Sequence, residues 1–211
     1  PAGAPSAGPP RGAKADEGHA GQRSMKDFVL AAILAALAGS AAAAGGPEAW
    51  QALSEPGHAL LVRHASAPGT GDPADFALGD CATQRNLDEA GREQARRIGE
   101  RLRARGVDDR PVYTSRWCRC RETAELLAAG PVEPLDALNS FFGDRYTEAE
   151  IMPRLRAFLR TGPLDPPPIL VTHQVNITAL TGVFPREGEM VVVAVAADGS
   201  VRVVGRIPPG G

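Results

Sequence analysis

Ala59-Leu60-Leu61-Val62-Arg63-His64 and Pro168-Ile169-Leu170-Val171-Thr172-His173 are two short apolar runs that each close on a histidine. Four or five apolar residues held between polar or turn residues read as strands buried on both faces, the pattern of a parallel sheet. Ligands of such sheets collect beyond the carboxyl ends of the strands, so both imidazoles belong at the functional edge. Val112-Tyr113-Thr114-Ser115 is a third strand-like run. The stretch that follows it, Arg116-Trp117-Cys118-Arg119-Cys120-Arg121-Glu122-Thr123-Ala124-Glu125, changes to helical spacing and brings Arg119 toward the same edge.

The rest of the chain alternates in the same way. Asp88 is placed to cap a helix whose apolar stripe is Ala95, Ile98 and Leu102 and which ends near Gly106. A second helix is expected from about Cys118 to Ala129, stopped by Gly130-Pro131. Thr147-Glu148-Ala149-Glu150 has the form of a capping box, followed by an apolar face of Ile151, Leu155, Phe158 and Leu159, with Pro153 kinking that helix or delaying its start. Gln174 to Leu180 reads as a short helix leading to Gly182. Met190 to Ala196 and Val201 to Ile207 flank Ala197-Asp198-Gly199-Ser200 as a hairpin. This alternation predicts a three-layer α/β/α sandwich with a mainly parallel sheet and a C-terminal β-hairpin.

The 211 residues are 43% hydrophobic and 23% charged, enough for one core-bearing domain, placed at 45–207 with a tail at 208–211. A formal charge of −2 gives no global pull toward nucleic acid, so any anion site is local. Residues 1–24 are rich in Pro, Gly and Ala and are expected to be disordered, or to come from a start codon placed too early. Met25-Lys26, an apolar stretch from Phe28 to Leu37 and the small residues up to Ala44 predict a signal peptide at 25–44 and a periplasmic or secreted domain. The segment is short for a membrane span, and anchors the protein only if it is retained. Export makes a disulfide the natural reading of the cysteines: Cys81 with Cys118 or with Cys120, a choice that spacing leaves open. Cys-x-Cys with one distant Cys lacks zinc-ligand spacing, and neither a metal nor a cofactor is expected.

Two histidines and two arginines at one edge suit a phosphoryl group. Its oxygens carry up to two negative charges, and a guanidinium offers them two parallel N–H donors. A neutral imidazole attacks phosphorus in line and splits one hard displacement into two easier ones. The second imidazole stabilises charge on the equatorial oxygens. Arg63 and Arg119 should lower the proton affinity of the nucleophile and keep it neutral. His58, before the first strand, and His19, in the leader, have no such setting. Trp50 and Trp117 read as packing residues.

Leu61-Val62-Arg63-His64-Ala65, Leu87-Asp88-Glu89-Ala90-Gly91-Arg92-Glu93-Gln94-Ala95, the pattern Ser115/Arg119/Thr123-Ala124-Glu125 and Val171-Thr172-His173 together resemble the histidine phosphatase superfamily, also called phosphoglycerate mutase-like. The resemblance implies that His64 is the phosphorylated nucleophile, that Arg63 and Arg119 bind phosphate, that His173 completes the pocket, and that the reaction needs no metal. Two departures stand out. Ala65 replaces the usual glycine, which is tolerable only if its backbone has no positive φ. The familiar proton donors are also missing: the glutamate that follows a Leu-Asn-like pair in mutase-like members is Ser140 here, and the aspartate that follows the second histidine in acid phosphatases is Gln174.

Asp144 is the preferred substitute acid because its loop follows the strand from which the mutase-like acid emerges; Asp80 is the other candidate. Arg85 is a candidate third cation, and Gln174 and Asn176 are candidate substrate contacts. The expected partner is a small phosphorylated substrate or a phosphoprotein, hydrolysed through phospho-His64. A small phosphohistidine phosphatase, whose substrate needs no strong acid, and a phosphate- or phosphoprotein-binding module that has lost turnover are the alternatives. A mutase would need a larger cap than the spans between strands allow.

Overall fold

The computed structural model describes residues 46–210, together with Gly3 and Gly8. The expectations for residues 1–24 and for a signal peptide at 25–44 lie outside the described residues. The chain divides into units at 1–40 and 41–211, and the second carries everything below.

Six strands make one sheet: β1 (His58–Arg63), β2 (Val112–Thr114), β3 (Val132–Pro134), β4 (Ile169–Thr172), β5 (Met190–Val195) and β6 (Val201–Ile207). Their order is β3-β2-β4-β1-β5-β6. The first four lie parallel, whereas β5 runs antiparallel to β1 and β6 antiparallel to β5. The mainly parallel sheet and the closing hairpin are as the sequence predicts.

Both faces of the sheet are covered, which is why β1 and β4 are apolar at successive positions rather than at alternate ones. Leu60, Val62, Ile169 and Val171 point to one face, where they meet α1 (Pro47–Ala52), α2 (Glu89–Arg103) and α3 (Cys118–Leu127). Ala59, Leu61 and Leu170 point to the other, against α4 (Glu148–Thr161) and α5 (Gln174–Thr181). Burying a Leu or Ile side chain contributes roughly 1.5 to 3 kcal/mol, so these strands are the mechanical centre of the domain. Among the described residues no helix is long and apolar enough to cross a membrane.

Several local readings are corrected. Helix α2 stops at Arg103 and α3 at Leu127, three and two residues earlier than expected, with Ala128 taking the left-handed conformation that closes α3. The capping box at Thr147 does not form, because Thr147 is itself in helical geometry and its hydroxyl donates to the Asp144 carbonyl at 2.8 Å. The cap sits one turn earlier, where the Asp144 carboxylate accepts the Tyr146 N–H at 3.0 Å and opens a 3₁₀ turn that feeds α4. Pro153 then falls inside α4 and does not delay its start. Strand β3 and helix α1 were not anticipated. The N-cap of α2 is as read, with the Asp88 carboxylate accepting from Gly91 N–H at 2.8 Å.

Candidate phosphate site

Strands β1 and β4 are adjacent, with Arg63 opposite Thr172, and the next residue of each is a histidine. The His64 amide donates to the Thr172 carbonyl at 3.0 Å, which fixes the two histidines side by side. Beyond this point the chain leaves β1 for α2 on one face and leaves β4 for α5 on the other. Departure to opposite faces opens a crevice between the strand ends. The two imidazoles lie in it with ring centroids 5.6 Å apart and planes at 65°.

A cavity of about 90 Å³ is bordered by Arg63, His64, Arg85, Arg119, His173 and Gln174, together with the loop Gly69–Gly71 and Ser140, Phe142 and Val175. The His64 Nδ1 lies 2.8 Å from the Ala65 carbonyl, which can only accept, so Nδ1 carries the proton and Nε2 keeps the lone pair. Burial first, and then the guanidinium of Arg119, hold the His64 pKa well below 6.5, with Arg63 and Arg85 adding to the effect. His173 is lowered in the same way, by burial and then by Arg119. Its Nε2 meets Ser115 Oγ at 2.8 Å and its Nδ1 faces Arg119 Nη2 at 3.5 Å.

The three arginines are each held by partners within the protein. Arg63 donates to the Pro185 carbonyl at 3.0 Å and to Glu187 at 3.3 Å. Arg119, only 3% exposed, is paired with Asp72, with Nη1 to Oδ1 at 2.6 Å and Nη2 to Oδ2 at 3.3 Å. Arg85 donates to the carbonyls of Ala67, Gly69 and Gly71 and lies 3.4 Å from Glu187, so it shapes the loop over the cavity as well as adding charge. Against these three cations stand two carboxylates, Asp72 and Glu187. The Nε atoms of Arg63 and Arg119 are buried and have no hydrogen-bond partner.

Asp72 and Glu187 escaped sequence reasoning because they sit in irregular segments where no period marks them. The Asp72 carboxylate gathers the indole N–H of Trp117 at 3.0 Å and the Arg85 amide at 3.2 Å besides Arg119. Its pKa is lowered by those donors in spite of burial, so it is a fixed anion and not a proton donor. Gln84 also went unnoticed: its amide donates to Ala77 and Leu78 and accepts the Cys118 N–H. It ties the loop after β1 to the start of α3. The disulfide links Cys81 to Cys118 across the same junction, leaving Cys120 free and buried.

Ala65 is accommodated without strain. Outside glycine, positive φ among the described residues occurs at Asp109 and Ala128 alone. The Ala65 amide donates to Thr123 Oγ1 at 3.0 Å, and Thr123 donates to the Arg119 carbonyl at 2.6 Å, which links the nucleophile's loop to the arginine's helix.

The carboxylate candidates fare differently. Asp144 caps a turn and borders a neighbouring groove, not the cavity. Asp80 caps the turn at Ala82 and is also absent from the lining. Neither is placed as an acid against a bound phosphoryl group. Ser140 and Gln174 do line the cavity, so both positions where relatives carry an acid face it with a neutral side chain, and none of the lining residues is Asp or Glu. Gln174 donates to Thr178 Oγ1 at 2.8 Å, whereas Asn176 turns away to the Asn139 carbonyl at 2.9 Å and is not a substrate contact.

Residues 59–168 match the histidine phosphatase superfamily (branch 1), and the chain belongs to that family. Arg63, His64, Arg85 and Arg119 fall inside the matched region, and His173 lies just beyond it. No curated protein sequence matches the chain. Among solved structures it is similar to protein histidine phosphatase SixA in complex with tungstate, at 19% identity and a TM-score of 0.53, over 72% of this chain and 97% of that one. It is similar also to a protein assigned as phosphohistidine phosphatase SixA from Nakamurella multipartitia, at 20% identity and a TM-score of 0.51, over 74% of this chain and 100% of that one. A third, assigned as an alpha-ribazole-5'-P phosphatase from Escherichia coli, shares 16% identity with a TM-score of 0.50, over 72% of this chain and 97% of that one. At such identities the likeness is one of fold.

Proposed function

We propose that this protein is an exported phosphatase that hydrolyses a phosphoryl compound through a phosphohistidine on His64, without a metal. The observation that carries the reading is the convergence of Arg63, Arg85, Arg119 and His173 on the one cavity that holds His64, whose Nδ1 proton is engaged by the Ala65 carbonyl so that Nε2 keeps its lone pair. Three guanidinium groups stand there against two carboxylates, Asp72 and Glu187, and an anion in the cavity offsets the excess positive charge. The His64 Nε2 lone pair attacks phosphorus, the bond from phosphorus to the leaving atom breaks, and the leaving group departs with its electron pair. Water then attacks the phosphohistidine, giving inorganic phosphate and neutral His64. Arg63, Arg85, Arg119 and His173 stabilise the charge on the non-bridging oxygens.

With no carboxylate in the lining, the leaving group must depart without strong acid assistance. This favours substrates whose leaving group is stable as an anion or is protonated by solvent, phosphohistidine among them. Export is supported by the leader-like sequence at 25–44 and by the Cys81–Cys118 disulfide, since such bonds persist in oxidising compartments.

Turnover of an aryl phosphate by the purified chain, with and without His64→Ala, tests the proposal. Activity lost in the variant is the expected result. Undiminished activity in the variant removes His64 as nucleophile, and tungstate binding by the parent without turnover makes the protein a binding module.

A further inference from the structure

Resting on the phosphatase reading, we infer that the groove beside the phosphate cavity is a leaving-group subsite built for a flat aromatic ring bonded directly to the phosphoryl group. The cavity at His64 holds about 90 Å³, roughly the share of three water molecules in the liquid, whereas sites that enclose an organic ligand run to about 300 Å³ and more. It has room for a phosphoryl group and little else. The remainder of any substrate must therefore lie outside it.

The adjoining groove measures about 520 Å³ and shares three lining residues with the cavity, Gly71, Ser140 and Phe142. A second groove, of about 470 Å³ and bordered by Arg116, Asp136, Glu150 and Arg154, shares Ser140 alone. The first is thus the more continuous path out of the cavity, and its walls carry three aromatic side chains, Phe76, Trp117 and Phe142. Phe76 and Trp117 stack at 5.2 Å with planes 20° apart, and Trp117 in turn meets His173 edge-on at 5.3 Å. Phe142 stands 51% exposed at the boundary between cavity and groove. Two carboxylates also line the groove: Asp72 is paired with Arg119 and the Trp117 indole, and Asp144 accepts the Tyr146 N–H.

The chemistry of the cavity points the same way by a separate route. A phenolate or an imidazole leaves far more easily than an aliphatic alkoxide; the cavity at His64 is lined by no acid, and the two carboxylates of the groove are engaged elsewhere, Asp72 by Arg119 and Asp144 by the Tyr146 N–H. The inferred substrate thus carries phosphorus on the oxygen of a phenol or on the nitrogen of an imidazole.

The test compares kcat/KM for 1-naphthyl phosphate, free phosphohistidine and acetyl phosphate in the full chain and in Phe142→Ala and Phe76→Ala. Acetyl phosphate has a good leaving group but no ring, which separates ring recognition from leaving-group chemistry. Each variant should lower the ratio of a ring substrate to acetyl phosphate by about three- to tenfold, the scale of one aromatic contact. The loss should fall mainly on KM, and in Phe76→Ala, which lies outside the phosphate cavity, acetyl phosphate turnover and tungstate affinity should be unchanged. A loss confined to one ring substrate assigns the groove to the oxygen-linked or the nitrogen-linked ring. Ratios unchanged for both rings in both variants, or an equal loss on all three substrates, overturn the inference. A parent inactive on all three overturns the phosphatase reading itself.

Discussion

Ser140 occupies the position where mutase-like relatives carry a glutamate, and it faces the cavity with its hydroxyl accepting only the Phe142 N–H at 3.2 Å. Ser140→Glu should therefore install a proton donor and raise turnover of an alkyl phosphate by about tenfold or more, while changing aryl phosphate turnover little. Comparing the two rates in parent and variant checks this. The imidazoles make a prediction in pH. Both His64 and His173 have pKa values held well below 6.5 by burial and Arg119, so in the empty protein their NMR resonances should show no titration between pH 7.5 and 6. Above about pH 6.5 each ring is neutral whether the chain is folded or not. Below it the unfolded chain takes up protons that the folded one refuses, so stability falls as pH drops from there. Urea midpoints measured between pH 7.5 and 5.5 should decline accordingly, and a flat profile would contradict the burial of uncharged rings. At this scale the sequence was legible where chemistry and strand position coincide, as at Arg63, His64, Arg119 and His173. It was silent on Asp72 and Glu187, which acquire their partners through the folded chain: the Arg119 partner of Asp72 is 47 positions away and the Arg63 partner of Glu187 is 124 positions away.

Among the elements, α2 and α3 pack so closely that a Cβ on Gly99 would lie 2.1 Å from the Leu127 carbonyl oxygen. By helix propensity alone Gly99→Ala would gain up to about 1 kcal/mol in mid-helix. The contact is with backbone, which cannot rotate away, so the sign reverses and the variant should lose roughly 1 to 3 kcal/mol in urea denaturation. The same geometry explains what could be read at this scale and what could not. The apolar cores of β1 and β4, the α2 cap and the hairpin announce themselves by period and turn chemistry. Strand β3 is three residues long with two of them exposed, too short to show a period. The choice between Cys118 and Cys120 turned on the rotation of α3 about its axis. Residues two apart on a helix face nearly opposite ways, and it is Cys118 that meets the loop while Cys120 enters the core.

For the molecule as a whole, the loop between β1 and α2 brings Asp72, Arg85 and the Gly69–Gly71 segment to the site, and the Cys81–Cys118 bond pins it to α3 across 37 positions of sequence. Loop-closure entropy for that separation gives stabilisation of roughly 2 to 4 kcal/mol. Reduction, or Cys81→Ser with Cys118→Ser, should lower the unfolding free energy measured in urea by that amount and weaken tungstate binding, since the pinned loop supplies the partner of Arg119. Equal tungstate affinity in the reduced and oxidised proteins would show that the loop holds its place without the bond. The packed layers are held besides by a continuous apolar core in which α2, α3 and the sheet meet.

Cys120 shares the first turns of α3 with a bonded cysteine, yet its thiol is wholly enclosed and burial pushes its pKa up to about 12. Disulfide exchange requires a thiolate with access to sulfur. The third cysteine is thus chemically mute in the native state, and a wrong pairing with it can form only before the core has closed. Once the fold is complete, its own geometry proofreads the crosslink.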